Sequence, residues 1–517
     1  MKVCKQSFFL SRSCSLHSSR VCLRSTPACS SSVTCSPLLR PFSSTSTSTS
    51  LDDTVSPTDE SITTDTLSFT SNFLQTLQTR GFLHQCTDYK ALDAIMTKSD
   101  SASNGEEVIA AYLGFDATAK SLHVGSLVQI MLLRHLQKCG HKPIILVGGG
   151  TTKIGDPSGK DTSRSVLSDT AIQDNITHIT QIFAKYLTIG DGPTDAVIVN
   201  NADWLDSLNY LDFLRTYGPH FTINRMLTFE SVKQRLEREQ PLTFLEFNYM
   251  LLQAYDFLEL YQSRYRVRVQ IGGSDQWGNI INGIDLARKC QQVQLYGLTA
   301  PLITNAAGKK MGKTASGAVW LDKDLLSEFE YWQFWRNTPD TDVKRFLLLF
   351  TELHQEKVAA LLGQGKNINE AKVRLADEVT RLLHGEACLV EIHATVQSLY
   401  ASSSTSALGS APALSSLPRI VISVPPPPSS VSLVEVLLTS QLASSKADAK
   451  RQINAGSIRI DDKKCTDPKH VFEVVQEAGV DEGDSSGSSS GSSSNSVTMK
   501  VSSGKKKHVV IVLESTI

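Results

Sequence analysis

The sequence predicts an α/β protein: a Rossmann-like parallel sheet first, then an α-helical domain, then a small C-terminal α+β domain. Three observations carry this. An apolar strand, an amphipathic helix and a second apolar strand succeed one another between Val108 and Val147, the pattern of a right-handed βαβ unit. Apolar residues at helical spacing dominate residues 340–400. A Ser/Pro-rich stretch at 401–430 then precedes a segment of short helices and strands.

The elements follow in order. Val108–Phe115 is an apolar run ending in a glycine-containing turn. His123–Cys139 carries Val124, Leu127, Val128, Met131, Leu132 and Leu136 at helical spacing and is closed by Gly140. Pro143–Val147 reads as a second buried strand that runs into Gly148-Gly149-Gly150. Further strands are expected at Ala196–Val199, Val267–Ile271 and Leu298–Ile303. Val343–Phe350 and Glu370–His384 read as amphipathic helices; Ser432–Leu442, Lys446–Asn454 and Ser457–Ile460 read as helix, helix and strand, with a final strand at His508–Leu513. The expected divisions are a leader at 1–50, a linker at 51–80, the parallel-sheet domain at 81–322 and the helical domain at 323–400. A Ser/Pro linker at 401–430 and a C-terminal domain at 431–517 follow, the latter with a Ser/Gly insertion near 485–496.

Composition narrows the function classes. The 517 residues hold 51 basic and 52 acidic side chains, so no bulk positive field draws nucleic acid. No stretch reaches the roughly 18 consecutive apolar residues of a membrane span, and no membrane role is expected. Residues 1–50 are different in kind: six basic residues, sixteen serines and no acid. That is the composition of an organellar transit peptide, and Arg40-Pro41-Phe42-Ser43 resembles a processing site; a merely unstructured tail is the alternative. The expected address is the mitochondrial matrix, with the plastid, alone or in addition, as the alternative. Without the leader the balance is 45 basic against 52 acidic residues, so any nucleic-acid contact must use local patches. Cys86, Cys139, Cys290, Cys388 and Cys465 are far apart, which argues against a zinc site or a disulfide framework.

Two short signatures carry chemistry. Asp116–Ser126 lies between the first strand and its helix, with His123 at the helix start. Free N–H groups and the helix dipole there suit an anion, and Gly125 removes a side chain where a flat or charged ligand would lie. Lys310-Met311-Gly312-Lys313-Thr314 places two lysines three apart in a glycine-containing loop, which suits a clamp on transferring phosphates. Each alone has a plain alternative, a structural histidine or a solvated turn. In this order, with strand ends between them, they resemble the two signatures of the class I aminoacyl-tRNA synthetases, His-x-Gly-His and Lys-Met-Ser-Lys-Ser. Tyr112–Asp116, Gly155–Lys160, Tyr249–Phe257 and Gly272–Asn279 are similar to the bacterial-type, and hence organellar, tyrosyl-tRNA synthetases. The likeness spans Phe82 to Asp340 and resumes from Ser432 to Asp467.

The resemblance implies a tyrosine–tRNA ligase: tyrosine and ATP give tyrosyl-adenylate, and tyrosyl then moves to the 3′ end of tRNA(Tyr) for organellar translation. ATP is a substrate that brings Mg²⁺ with it, and no dedicated protein metal site is implied. In-line attack on the α-phosphate needs positioning and charge stabilisation, in keeping with the lack of a Ser-His or Cys-His constellation. By resemblance Thr118 and His123 touch the phosphates, while Lys310, Lys313 and Thr314 clamp the pyrophosphate. Lys160 and Arg164 share that task from a second loop. Asp116, Gly125 and Asp275 belong to the ATP side, with Asp275 on the ribose. Tyr112 and Asp256 meet the phenol hydroxyl, Tyr249, Gln253 and Asp156 hold the α-ammonium, and Gln276 lies near the carboxylate. A buried pair built for a hydroxyl rejects phenylalanine, a rule this enzyme family itself exemplifies. Asp256 sits among Leu251, Leu252, Ala254, Tyr255 and Phe257, and an acid in so apolar a run is usually paired or functional. Two positions depart from the signatures: Ser126 stands where a second histidine is usual, and Gly312 where serine is, as tyrosyl enzymes commonly show. Serine still donates a hydrogen bond, so a catalytic part for Ser126 with a modest rate effect is expected.

Ser432–Asp467 resembles the small RNA-binding domain of ribosomal protein S-four. Lys446, Lys450 and Arg451 on one helix, with Arg459, make its basic patch for tRNA, against the bland reading of a solvated face. The resemblance further implies a homodimer with one tRNA crossing both subunits. Two rivals stay open at this point. One is another adenylate-forming enzyme of the fold, such as a tryptophanyl enzyme or a cofactor nucleotidyltransferase; Tyr112 with Asp256, and the C-terminal module, argue against these. The other is a non-catalytic RNA-binding or splicing factor, which intact His123, Asp256, Lys310 and Lys313 disfavour.

Overall fold

The computed structural model describes residues 67–101, 108–158, 167–304, 311, 313–314, 317–400, 417–425, 429–474, 496–504 and 507–515. The leader and the Ser/Gly run up to residue 495 lie outside them. The central sheet has six strands: β1 (Gln85–Cys86), β2 (Ala110–Phe115), β3 (Lys142–Val147), β4 (Val197–Asn200), β5 (Val269–Gly273) and β6 (Tyr296–Ala300). Their order is β1-β6-β5-β2-β3-β4; β2 to β6 run parallel and β1 closes the edge antiparallel to β6. Chain order reverses at β2, which lies between β3 and β5. A parallel sheet opens a ligand crevice beyond the carboxyl ends of the strands at such a switch point.

Strand alternation splits the core into two layers. Ala111, Leu113, Phe115, Ile145 and Val147 face one apolar cluster, whereas Ala110, Tyr112, Ile144 and Leu146 face the other. The first layer buries the helix Leu127–Lys138 and the long helix Asp169–Tyr186, and it continues into the helical domain through Tyr331, Trp335, Phe346 and Phe350. The second is covered by Phe244–Gln262, which starts in a Thr243/Glu246 capping box, and by Trp277–Gln291.

The structure departs from the sequence reading at three places. His123 does not begin the α-helix. It caps a short 3₁₀ turn, Val124–Ser126, and the helix starts at Leu127. The 51–80 linker ends early, because Ser71 caps a helix at Asn72–Arg80 that buries Phe73, Leu74 and Leu77. The 401–430 linker also ends early: Arg419–Val424 is a strand running parallel to Lys507–Ser515. Serine and proline density hid the apolar stretch Ile420-Val421-Ile422, whose partner strand is some ninety residues away in sequence, beyond the reach of local pattern.

The C-terminal residues form a five-stranded sheet in the order Lys463–Cys465, Ile458–Ile460, Ser496–Ser503, Lys507–Ser515, Arg419–Val424. Asp461 and Asp462, both at positive φ, make its first hairpin turn. The last strand is buried on both sides: Val509, Ile511 and Leu513 join the C-terminal core, while Val510 and Val512 join the cluster shared by the sheet and the helical domain.

Candidate active site

A cavity of about 400 Å³ opens at the β2/β5 switch point and is lined by Tyr112, Asp116, Thr118, His123, Ser126, Asp156, Tyr249, Gln253, Asp256, Asp275 and Gln276, among others. Sequence positions 112 to 276 thus converge because the parallel strands all end on one side. Tyr249, Gln253 and Asp256 reach it from one helix; at spacings of four and three they share a face. Thr118 is exposed at the mouth.

At the deep end, Tyr112 is 1% exposed and its hydroxyl has no hydrogen-bond partner among the described residues. An orphaned buried hydroxyl in a native fold calls for an explanation. Asp256, 1% exposed, lies near enough to raise the Tyr112 pKa further above what burial alone does. Burial also pushes the Asp256 carboxyl up to about 7, against the lowering effect of its two donors. Those donors are Trp204 Nε1 on Oδ1 at 2.7 Å and Asn201 Nδ2 on Oδ2 at 3.0 Å. Neither was legible in the sequence, for they sit on a short loop helix, Ala202–Leu205, with no motif of its own.

The middle of the cavity is a second polar cluster. Gln276 donates through Nε2 to Asp156 Oδ2 at 2.9 Å, and the Ser158 N–H caps Oδ1 at 2.9 Å. Burial, reinforced by the Asp116 charge, raises Asp156 to about 6. Gln253 donates to Gln276 Oε1 at 3.3 Å, and Asn279 donates to Gln253 Oε1 at 2.9 Å. Gln276, expected beside the substrate carboxylate, is therefore also the residue that aims Asp156. Asp116, expected on the ATP side, accepts from Tyr249 at 3.2 Å and from Thr151 at 3.1 Å. These bonds group it with Tyr249, which the resemblance puts at the α-ammonium.

At the mouth the partners are backbone. His123 Nδ1 accepts the Gly125 N–H at 3.0 Å, so in the neutral ring the proton sits on Nε2, leaving that nitrogen as donor. Val124 donates to the Val319 carbonyl and Leu321 to that of Leu122. The first signature is thereby stitched to the segment that follows the second. A Cβ on Gly125 would lie 2.7 Å from the His123 ring and 3.0 Å from the Met311 carbonyl oxygen, so the two signatures touch. Ser126 lines the cavity and its side chain makes no capping bond. Lys160, Arg164 and Lys310 lie outside the described residues. Of Lys313 and Thr314 only the backbone is described, a short pairing with Gly317–Ala318. Asp275 follows β5 in a 3₁₀ turn at the cavity wall. In the C-terminal domain Lys446, Lys450, Arg451 and Arg459 are all exposed, but Arg451 turns back to pair with Asp448.

Comparison with known proteins gives a consistent picture. Residues 103–401 match the family of class I tRNA synthetases (W and Y), and residues 414–479 match the SYY-like C-terminal domain of tyrosine–tRNA ligase. The tyrosine–tRNA ligase of Zymomonas mobilis is 51% identical over 444 residues, 86% of this chain and 98% of the relative. That of Caulobacter sp. strain K31 is 50% identical over 445 residues, with 86% and 98% covered. Among solved structures, a C-terminally truncated mitochondrial tyrosyl-tRNA synthetase of Aspergillus nidulans superposes with a TM-score of 0.56 at 28% identity, over 63% of this chain and 94% of that one.

Proposed function

The chain belongs to the tyrosine–tRNA ligases of the class I synthetases, and from that premise we propose how its own residues divide the work. The enzyme joins tyrosine to ATP and transfers the tyrosyl group to tRNA. In the first step a tyrosine carboxylate oxygen attacks the α-phosphorus in line and pyrophosphate leaves, so the protein contributes position and charge. Tyr112 and Asp256 take the phenol hydroxyl, as donor and acceptor, and the unpartnered Tyr112 hydroxyl beside a buried carboxylate is the observation that carries this assignment. Asp156, Tyr249 and Gln253, joined by Asp116, receive the α-ammonium, and Gln276 orients Asp156 while facing the carboxylate. His123 Nε2, Thr118 and Ser126 donate to the phosphates at the mouth, with Gly125 keeping the approach clear. Asp275 holds the ribose, and Lys160, Arg164, Lys310, Lys313 and Thr314 gather the pyrophosphate with the Mg²⁺ that ATP carries.

We assign residues 81–322 to catalysis, 323–400 to the anticodon side and the C-terminal domain, with Lys446, Lys450 and Arg459, to tRNA. A homodimer is the reading we favour, with the exposed apolar side chains Leu211, Ile223, Leu227, Leu236, Phe244 and Leu245, all between residues 211 and 245, as candidates for its interface. The acid-free leader and the mitochondrial neighbour support an organellar address, mitochondrion or plastid. The test of the pocket is exchange between pyrophosphate and ATP with tyrosine, phenylalanine and tryptophan offered separately. Exchange with tyrosine alone is expected; equal exchange with phenylalanine would defeat the Tyr112/Asp256 assignment. Sedimentation of the leaderless chain tests the dimer.

A further inference from the structure

The amide of Asn201 has one possible orientation. Its Oδ1 faces the backbone N–H of Gly150 at 2.8 Å and that of Thr151 at 3.4 Å, groups that can only donate. Nδ2 therefore points the other way, one proton to Asp256 Oδ2 and one to Thr151 Oγ1, each at 3.0 Å. The Thr151 hydroxyl is thus an acceptor toward Asn201, and its own proton goes to Asp116 Oδ1, 3.1 Å away. A chain of fixed polarity links the carboxylate at the phenol end to the one at the ammonium end, through an amide and a hydroxyl that are 0% and 2% exposed. The two carboxylates repel each other, and the link between them is made by neutral groups alone.

A second observation points the same way. A Cβ on Gly148 would lie 2.5 Å from Thr151 Oγ1 and 2.6 Å from Asp116 Oδ1. The first glycine of Gly148-Gly149-Gly150 is required by space, so that this hydroxyl can reach that carboxylate.

We propose that Thr151 is a positioning residue for tyrosine recognition, one that fixes Asp116 and, through Asn201, Asp256 in a single geometry. The proposal rests on the assignment of those two acids to the ammonium and phenol ends of tyrosine. Thr151→Val removes the hydroxyl at nearly constant volume, stranding one Asn201 proton and taking a donor from Asp116. A lost hydrogen bond to a charged group typically costs one to two orders of magnitude. In pyrophosphate exchange on the full chain, KM for tyrosine therefore rises about tenfold or more, and the preference for tyrosine over phenylalanine falls by the part of that loss that runs through Asn201 to Asp256, since the ammonium is common to both. kcat falls less. Thr151→Ser keeps the hydroxyl and restores both. Thr152→Val serves as the control for damage to the turn itself, because the Thr152 hydroxyl caps the Ala117 N–H at 2.9 Å in the same turn; it lowers the melting temperature and leaves the tyrosine preference alone. Should Thr151→Val fail to fold, Thr151→Ala makes the same comparison with serine. An unchanged preference in the valine or alanine variant, or a serine variant as impaired as either, overturns the proposal. Asp256→Asn separates the two readings: if that change leaves the preference intact the pocket assignment fails, whereas a collapse there with Thr151→Val unaffected defeats the bridge alone.

Discussion

The two halves of the cavity are built from different material. The half we assign to the amino acid is held mainly by side chains on side chains: Trp204 and Asn201 on Asp256, Thr151 and Tyr249 on Asp116, Gln276 on Asp156. The nucleotide half is held by backbone: Gly125 on His123, Val319 and Leu122 as carbonyl partners, and Met311, whose N–H donates to the Ile303 carbonyl at 2.7 Å. Buried side-chain networks are costly to leave half-satisfied and specify one arrangement. Backbone contacts around small residues let loops approach a ligand closely without committing a side chain. On the proposed assignment, selection of the amino acid is prebuilt in side-chain contacts, while the phosphate side is shaped by backbone contacts around small residues. Substitutions in the first half should change which amino acid is used, and those in the second should change how fast.

The largest effect is expected at Asp256. Asp256→Asn replaces the carboxylate on which the Trp204 and Asn201 donors converge, and the loss of hydrogen bonds to a charged acceptor costs about a hundredfold or more. It should appear in the preference for tyrosine over phenylalanine. The pH dependence sharpens the point. With Asp256 near 7 and Asp156 near 6, a falling pH protonates first the phenol-side acceptor and then the ammonium-side one. Tyrosine affinity should fall through both values and phenylalanine affinity through the lower one alone, so the ratio of the two drops by up to about tenfold per pH unit below 7. The linkage to folding has the opposite sense. Both acids are raised above their unfolded values, so the free enzyme is favoured below the ordinary carboxylate range and loses stability as pH rises toward 7; thermal melts between pH 5 and 8, with and without tyrosine, check this.

Much of this was readable from the chain. The βαβ period gave the sheet, an acid inside an apolar helical run marked Asp256, and the resemblance to the class I synthetases, carried by short segments at strand ends, implied the other cavity residues. Asn201, Trp204 and Thr151 could not be seen that way, because their meaning comes from partners 35 to 55 residues off in sequence and none has a distinctive spacing. The strand at Arg419–Val424 was missed for the same reason, its apolar alternation being short and its partner remote. Local patterns reveal which residues are unusual, and three-dimensional contacts reveal what holds them.

On the nucleotide side the predictions concern rate. Gly125→Ala would press a methyl against the His123 ring and the Met311 carbonyl, displacing the donor nitrogen and separating the two signatures. The single-turnover adenylation rate should drop about a hundredfold, the scale for losing one aimed donor, with tyrosine selectivity unchanged. Ser126→Ala should slow adenylation several-fold, since its side chain lines the cavity without a structural bond to lose. A rate equal to the parent would show that Ser126 has no catalytic part, and a change in tyrosine preference in either variant would break the division between the halves.

The smallest effect tests whether a third region stays apart from both. Lys446 and Lys450 are one helical turn apart on Lys446–Asn454, whose opposite face buries Ala449 and Ile453. Both lysines are exposed, whereas Arg451 is drawn to Asp448. Lysine on phosphate adds affinity through released counterions, and each such contact contributes about one unit to the slope of log affinity against log salt. Lys450→Ala should therefore weaken tRNA binding a few-fold at moderate salt and lower that slope by about one, while Arg451→Ala should do less, because its charge is already shared with Asp448. Neither change should touch pyrophosphate exchange, which needs no tRNA. The last strand, however, is packed on both the C-terminal core and the helical domain, so the two ends of the enzyme share a buried element. If Lys450→Ala altered exchange with tyrosine, that strand would be the path to examine, and the separation of binding from chemistry would have to be given up.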